Sequence, residues 1–374
     1  MFGTTWSNNT EAEWNITDRP EGSTALAIIW PNRDPVTIDI YGSEIPTGPA
    51  EAEFDFAPIL SNFTDNVVIA TYADLDERAG ELLAAIEALR SDTTPENLSA
   101  ARNAWVATRI PWEASEGFLF GPVDFNGYDP ALDSWPVNRT DLDGVLASDN
   151  DLTTAYVNSL DGTLKGFHTI EYLLFDEGGS KTAADFTERE FAYLIATTQD
   201  LKATTEALHT SWISSGGNFG QKVRNAGSGS DAYPSAQSAV QEMVGGMIGI
   251  CDEVANGKIA DPFVEQDTRL VESQFSFNSI ADFQNNLRSV LHVYTGDYAG
   301  TGAGLDEFIR QADADLDQRL KEEIQTAINE IGRIQYPFRD AIASDRDQIE
   351  TAQAAVAKVQ QTLEEDILPL VLGN

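Results

Sequence analysis

Gly166-Phe167-His168-Thr169-Ile170-Glu171-Tyr172-Leu173-Leu174-Phe175 is an apolar, helix-compatible run. It carries one of only three histidines in the chain, three residues before a carboxylate. Residues at i and i+3 share a helix face, so imidazole and carboxylate point the same way. A neutral imidazole beside a carboxylate suits zinc or iron, and the plainer reading is a helix histidine bonded to its own neighbour. The stretch therefore places a helix and half of a metal site together.

Helical spacing extends in both directions from that run. Tyr72, Leu75, Leu82, Leu83, Ile86 and Leu89 form one apolar stripe, and Thr94-Pro95-Glu96 reads as a cap followed by proline at the first helical position. The next helix runs through Trp105 and Trp112, with Pro111 expected to kink or break it near Arg109. Residues 121–136 are rich in Gly, Pro, Asp and Asn and read as a loop; helices follow around 140–160, 163–176 and 185–214. The second half holds a loop-prone passage at 257–276, a helix over 280–294, a Gly-rich link at 296–304 and two long amphipathic helices. Their stripes include Leu305, Phe308, Ile309, Ala312 and Leu316, then Val356, Val359, Leu363, Ile367 and Leu368.

The fold class expected is all-α, two helical-bundle halves with a short β-prone N-terminal extension. Residues 1–50 form that extension, where Ala25–Trp30 and Val36–Tyr41 flank a Pro-Asn-Arg-Asp-Pro turn signal and suggest a hairpin. The first bundle spans 51–214, a Gly/Ser-rich linker or loop 215–235, and the second bundle 236–374.

Of the 374 residues, 61 are acidic and 23 basic, a net charge of -38, and the first lysine is Lys165. Such a surface repels phosphate backbones and anionic headgroups and favours cationic partners, so nucleic acid is excluded as a partner class. Sparse lysine among scattered acids also resembles proteins of saline water. The lone Cys251 excludes an intrachain disulfide and reads as a core residue. No apolar run reaches the roughly 18 residues of a membrane span. The chain opens without the basic-then-apolar pattern of a secretory signal, so location has to be read from elsewhere.

Glu113 and Glu116 repeat the i, i+3 spacing immediately before the mostly apolar Gly117–Pro122, where an ionised carboxylate is costly unless paired or metal-bound. Asp124, Asp129 and Asp133 in the following loop could add an oxygen ligand. Chance supplies many such pairs in an acidic protein. Glu206-x-x-His209 reads as a surface pair and His292 as a hydrogen-bonded core residue. Trp105, Trp112 and Trp135 read as core, with a pocket lining as the alternative. Arg288, Glu272 and Ser273 could face the site from the second half, orienting ligands or a substrate carboxylate.

Trp105–Glu116, Phe118–Val123, Asp129–Pro136 and the Gly-x-His-x-x-Glu run, with Val271–Ser279, Asp282–Arg288, Tyr294 and Gly296, together resemble the imelysin-like family, also called the M75 peptidase family. The resemblance covers about Phe54 to Asn374. It implies two helical bundles with the His-x-x-Glu site near their junction, in exported bacterial proteins, periplasmic or outer-surface lipoproteins, often linked to iron. One relative is the periplasmic component of a ferrous iron uptake system, whose metal-site pattern matches Glu113, Glu116, Asp133, His168 and Glu171. The partners implied are a metal ion and, beyond it, a peptide or another exported iron-uptake protein.

A peptidase reading takes His168, Glu171 and Glu116 as zinc ligands and Glu113 as the general base. The zincin motif His-Glu-x-x-His is absent. An acid-rich shell with one histidine fits iron, manganese or calcium at least as well as zinc, and binding of a divalent or ferric ion is favoured over catalysis. A surface interaction protein with a vestigial site is the third reading.

Overall fold

The apolar stripes close onto one another in pairs. The structure is a computed structural model that describes residues 54–373; the hairpin expected over 24–41 lies outside them. Asp55–Asn374 form one compact unit. No strand occurs among the described residues, and no helix there is long and apolar enough to cross a membrane.

Four helices carry the first half: α1 (Ala70–Ser91), α2 (Pro95–Glu113), α3 (Gly166–Phe175) and α4 (Glu188–Trp212). Along α1 the buried apolar and aromatic residues are Tyr72, Leu75, Ala79, Leu82, Ile86 and Leu89. Steps of three and four alternate, which keeps them on one stripe against α2 and α4. Thr94 caps α2 by accepting from the Asn97 amide at 3.2 Å, with Pro95 at the first position. Pro111 does not break α2 at Arg109, because the helix continues to Glu113. Proline removes only its own amide donor to the carbonyl four residues earlier, while the Ala114 amide beyond it still bonds the Ile110 carbonyl at 3.0 Å.

The second half is a ring of four helices: α5 (Ala236–Asp252), α6 (Ser279–Thr295), α7 (Ala314–Ile331) and α8 (Arg346–Thr362). Each packs on the next and α8 returns to α5. The stripe read through Leu305 to Leu316 is split at Asp313, whose carboxylate accepts from the Asp315 and Leu316 amides at 3.0 Å and starts a new helix.

Three passages expected as loops contain helix. Pro122–Phe125 and Tyr128–Leu132 form short helices within 121–136, and Phe219–Arg224 forms one within the Gly/Ser-rich stretch. Glu253–Ile259 extends α5 as a π-helix and runs on into Ala260–Glu265. There the burial of Val254, Ala255, Lys258 and Ile259 outweighs the low helix propensity of Gly257.

The halves meet where α2 packs on α6 and where the 3-10 turn Glu116–Phe118 sits against α5 and α6. Contact is close: a Cβ on Gly246 would lie 2.4 Å from the Gly117 carbonyl oxygen. Gly166 has φ +71, and a Cβ there would lie 2.2 Å from the Leu132 carbonyl oxygen, so glycine is what lets the histidine helix start against the loop that carries Asp133.

Leu82 on α1 and Leu320 on α7 are both fully buried. Leu82→Ala and Leu320→Ala should each cost about 2–5 kcal/mol by transfer and cavity terms. Because the halves share a packed seam, denaturant unfolding followed by circular dichroism should show one transition that moves in both variants. Two transitions, each moved by only one substitution, would contradict this.

Candidate metal centre

At the seam, side chains from five segments surround one buried polar cluster. α2 and the turn after it supply Arg109, Glu113 and Glu116, and the loop before α3 supplies Asp133. α3 supplies His168 and Glu171, the π-helical segment Lys258, and the chain from Glu272 through α6 supplies Glu272, Asp282 and Asn286. Five carboxyl groups (Glu113, Glu116, Asp133, Glu272, Asp282) thus face two fixed cations, Arg109 and Lys258, and a sixth, Glu171, meets His168.

His168 is held on both ring nitrogens. Nδ1 lies 3.0 Å from Glu171 Oε2. Nε2 lies 3.0 Å from Asp133 Oδ1 and 3.8 Å from Glu272 Oε1, yet has no aligned hydrogen-bond partner among the described residues. The other Glu171 oxygen accepts from the Phe275 and Ser276 amides at 3.0 and 2.8 Å and from the Ser276 hydroxyl at 2.7 Å. Glu171 is therefore fixed as the group that orients the imidazole.

Arg109 spreads its guanidinium over the acids. It donates to Glu113 and Asp133 and reaches Glu272 at 2.8 Å and Asp282 at 3.6 Å. Trp112 Nε1 donates to the other Asp133 oxygen at 2.6 Å. Lys258 Nζ lies 2.7 Å from Glu116, 3.2 Å from Glu272 and 3.4 Å from Glu113. Asn286 Nδ2 donates to Glu113 and Glu116 at 2.5 and 2.9 Å.

Electrostatics show a deficit of positive charge. Burial, opposed by Lys258, pushes Glu116 well above the usual carboxyl range, and burial likewise raises Glu272 and Asp282 against the pull of Lys258 and Arg109. Those carboxyls lean towards holding protons. Asp133 goes the other way: burial opposes its charge, but Arg109 and His168 hold it well below the ordinary value. Burial disfavours the imidazolium, yet Asp133 and Glu171 outweigh it and push His168 up to about 9.

Two overlapping triads bring possible ligand atoms within 4.8 Å of one another: Asp133, His168 and Glu272, and Glu113, Glu116 and Asp133. Of the residues expected from sequence, Glu113, Glu116, Asp133 and His168 enter these triads; Glu272 joins them, and Glu171 stands behind His168. Ser273 is buried at φ +52 and lines a small cavity with His168, Glu171, Trp135 and Phe275. Arg288 is directed elsewhere, donating to Asn285 at 2.6 Å. Asp124 and Asp129 join neither triad. Glu206 is exposed and bonds Lys202, and His292 Nδ1 bonds the Asp297 carbonyl. Trp105 and Trp112 are core residues.

Sequence reasoning missed Arg109, Lys258, Asp282 and Asn286. Arg109 stands four residues before Glu113 on α2, and Asp282 and Asn286 repeat that spacing on α6. Lys258 has the weaker signal of a lone lysine beside Val254, Ala255 and Ile259.

Comparison with known proteins agrees with this architecture. The imelysin (peptidase M75) family profile matches residues 68–365. Iron-regulated protein A of Synechococcus elongatus is 34% identical over 318 residues, covering 83% of this chain and 86% of that protein. A crystal structure from Parabacteroides distasonis, assigned as an iron-regulated protein A precursor, superposes with a TM-score of 0.78 at 25% identity, covering 86% of this chain and 97% of that one. An imelysin-like protein from Psychrobacter arcticum superposes with a TM-score of 0.68 at 13% identity over 83% of this chain and 94% of its own, a likeness of fold. With a family match across most of its length and a relative above 30% identity, this chain belongs to the imelysin family.

Proposed function

We propose that this chain is an exported bacterial metal-binding protein of iron acquisition or iron response, taking a divalent or ferric ion at the seam between its halves. The observation that carries the reading is the buried excess of carboxyl groups over fixed cations around His168. Buried charge needs a partner. Burial already pushes Glu116, Glu272 and Asp282 towards protonation, and a metal ion relieves the same deficit.

In this reading Asp133, His168 and Glu272 hold the ion, Glu113 and Glu116 complete its shell, and Glu171 fixes the imidazole so that Nε2 faces the ion. Oxygen-rich ligation with one nitrogen suits iron, manganese or calcium as well as zinc. Iron is favoured because the Synechococcus and Parabacteroides relatives are named for iron regulation, and export because the latter is named a precursor. A peptidase would need Glu113 free to take a proton from water. Glu113 is instead engaged by Arg109, Lys258 and Asn286, which argues for binding without hydrolysis.

His168→Ala should abolish stoichiometric uptake in calorimetry with ferrous or zinc ion, and Glu171→Gln should weaken it about 10–100-fold, as loss of a ligand-orienting group does. Unchanged affinity in both variants would sink the proposal. The metal-free protein should also lose stability as pH rises. The folded state keeps a proton on His168 up to about 9, whereas the unfolded chain releases it near 6.5. Stability from that proton is thus full below pH 6.5 and gone above 9. Denaturation at several pH values should show this slope in wild type and a shallower one in His168→Gln, where the raised carboxyls Glu116, Glu272 and Asp282 still contribute in the same direction; equal slopes would contradict the protonated assignment.

A further inference from the structure

Lys258 stands out from Arg109 in how it is held. The guanidinium, carried by a regular helix, is enclosed by interior acids, and its two terminal nitrogens donate to Glu113, Asp133 and Glu272. The ammonium is a point charge on a flexible stem, arriving from the π-helical segment Glu253–Ile259. It rests on Glu116, Glu272 and Glu113, three of the oxygen donors that a metal ion would use.

One further acid lies within its reach. Glu253 Oε1 is 4.0 Å from Nζ, and its side chain is 48% exposed. In an α-helix, residues five apart point in different directions, but a π-helical turn, with its i to i+5 bonding, brings them onto one side. The π segment therefore sets a solvent-facing carboxylate beside a buried lysine. Such turns recur where a helix does more than pack.

We propose that Lys258 is the resident cation of the metal-free site, and that an incoming metal ion displaces its ammonium from Glu113, Glu116 and Glu272 towards Glu253. This rests on the metal-binding reading given above. No bond is made or broken covalently: one cation replaces another on the same oxygens. Both cannot stay, because an ion at the 2.0–2.6 Å of carboxylate ligation (roughly) would sit against the ammonium with little solvent between them. Until then the lysine neutralises these acids where they are buried.

The test uses wild-type protein, with and without zinc ion, and the bound zinc counted by elemental analysis in the same samples. Amine labelling of Lys258, read by mass spectrometry, should be about tenfold faster in the zinc-loaded protein, reflecting the share of time the group is exposed. Glu253→Gln, at an exposed position, should bind zinc several-fold more weakly, and Lys258→Met should bind it about tenfold more tightly. Zinc bound at full stoichiometry with Lys258 labelling unchanged and Glu253→Gln at wild-type affinity would overturn the displacement while leaving the metal site standing. Wild-type protein that takes up no zinc or ferrous ion would overturn both.

Discussion

The guanidinium of Arg109 touches Glu113, Asp133 and Glu272 and approaches Asp282, so one side chain ties α2 to the Asp133 loop and to the start of α6. Lys258 does the same from the other side through Glu116 and Glu272. The constraint on the whole structure is that six acids brought together out of water must be neutralised where they stand. Hydrophobic residues of similar size would fill such a seam more stably.

The packing serves that cluster. Gly246 lets the turn carrying Glu116 approach α5, Gly117 lets that turn approach Ser289 on α6, and Gly166 lets α3 begin against the backbone of Leu132, one residue before Asp133. Larger side chains at these positions would separate the elements that deliver the acids. Ser273 and Phe277 adopt positive φ on either side of the amides that bind Glu171. Backbone strain in that loop sits beside the group that aims the histidine.

Much of this was legible in the sequence. Amphipathic stripes such as Tyr72 to Leu89 fix the helices because burial on one face is a local pattern. The Gly-x-His-x-x-Glu run and the Glu113, Glu116 pair stood out because carboxylates in apolar surroundings need a reason. The rest depends on approach in space. In so acidic a chain, Asp282 looks like any solvated acid until α6 carries it to Arg109. Lys258 hid within a passage that reads as loop, because Gly257 and Pro262 outweigh its neighbours in any local propensity. Glu272, distant in sequence from the motif, comes within 3.8 Å of His168 Nε2, while Glu171 of the motif lies 3.0 Å from Nδ1.

Anomalous X-ray diffraction from crystals soaked in ferrous ion would show whether a single cation completes this cluster. One strong peak is expected at the iron edge, within bonding distance of His168 Nε2 and of carboxylate oxygens from Asp133 and Glu272. Iron found only on surface carboxylates, with the imidazole still facing Asp133 and the cluster empty of metal, would contradict it.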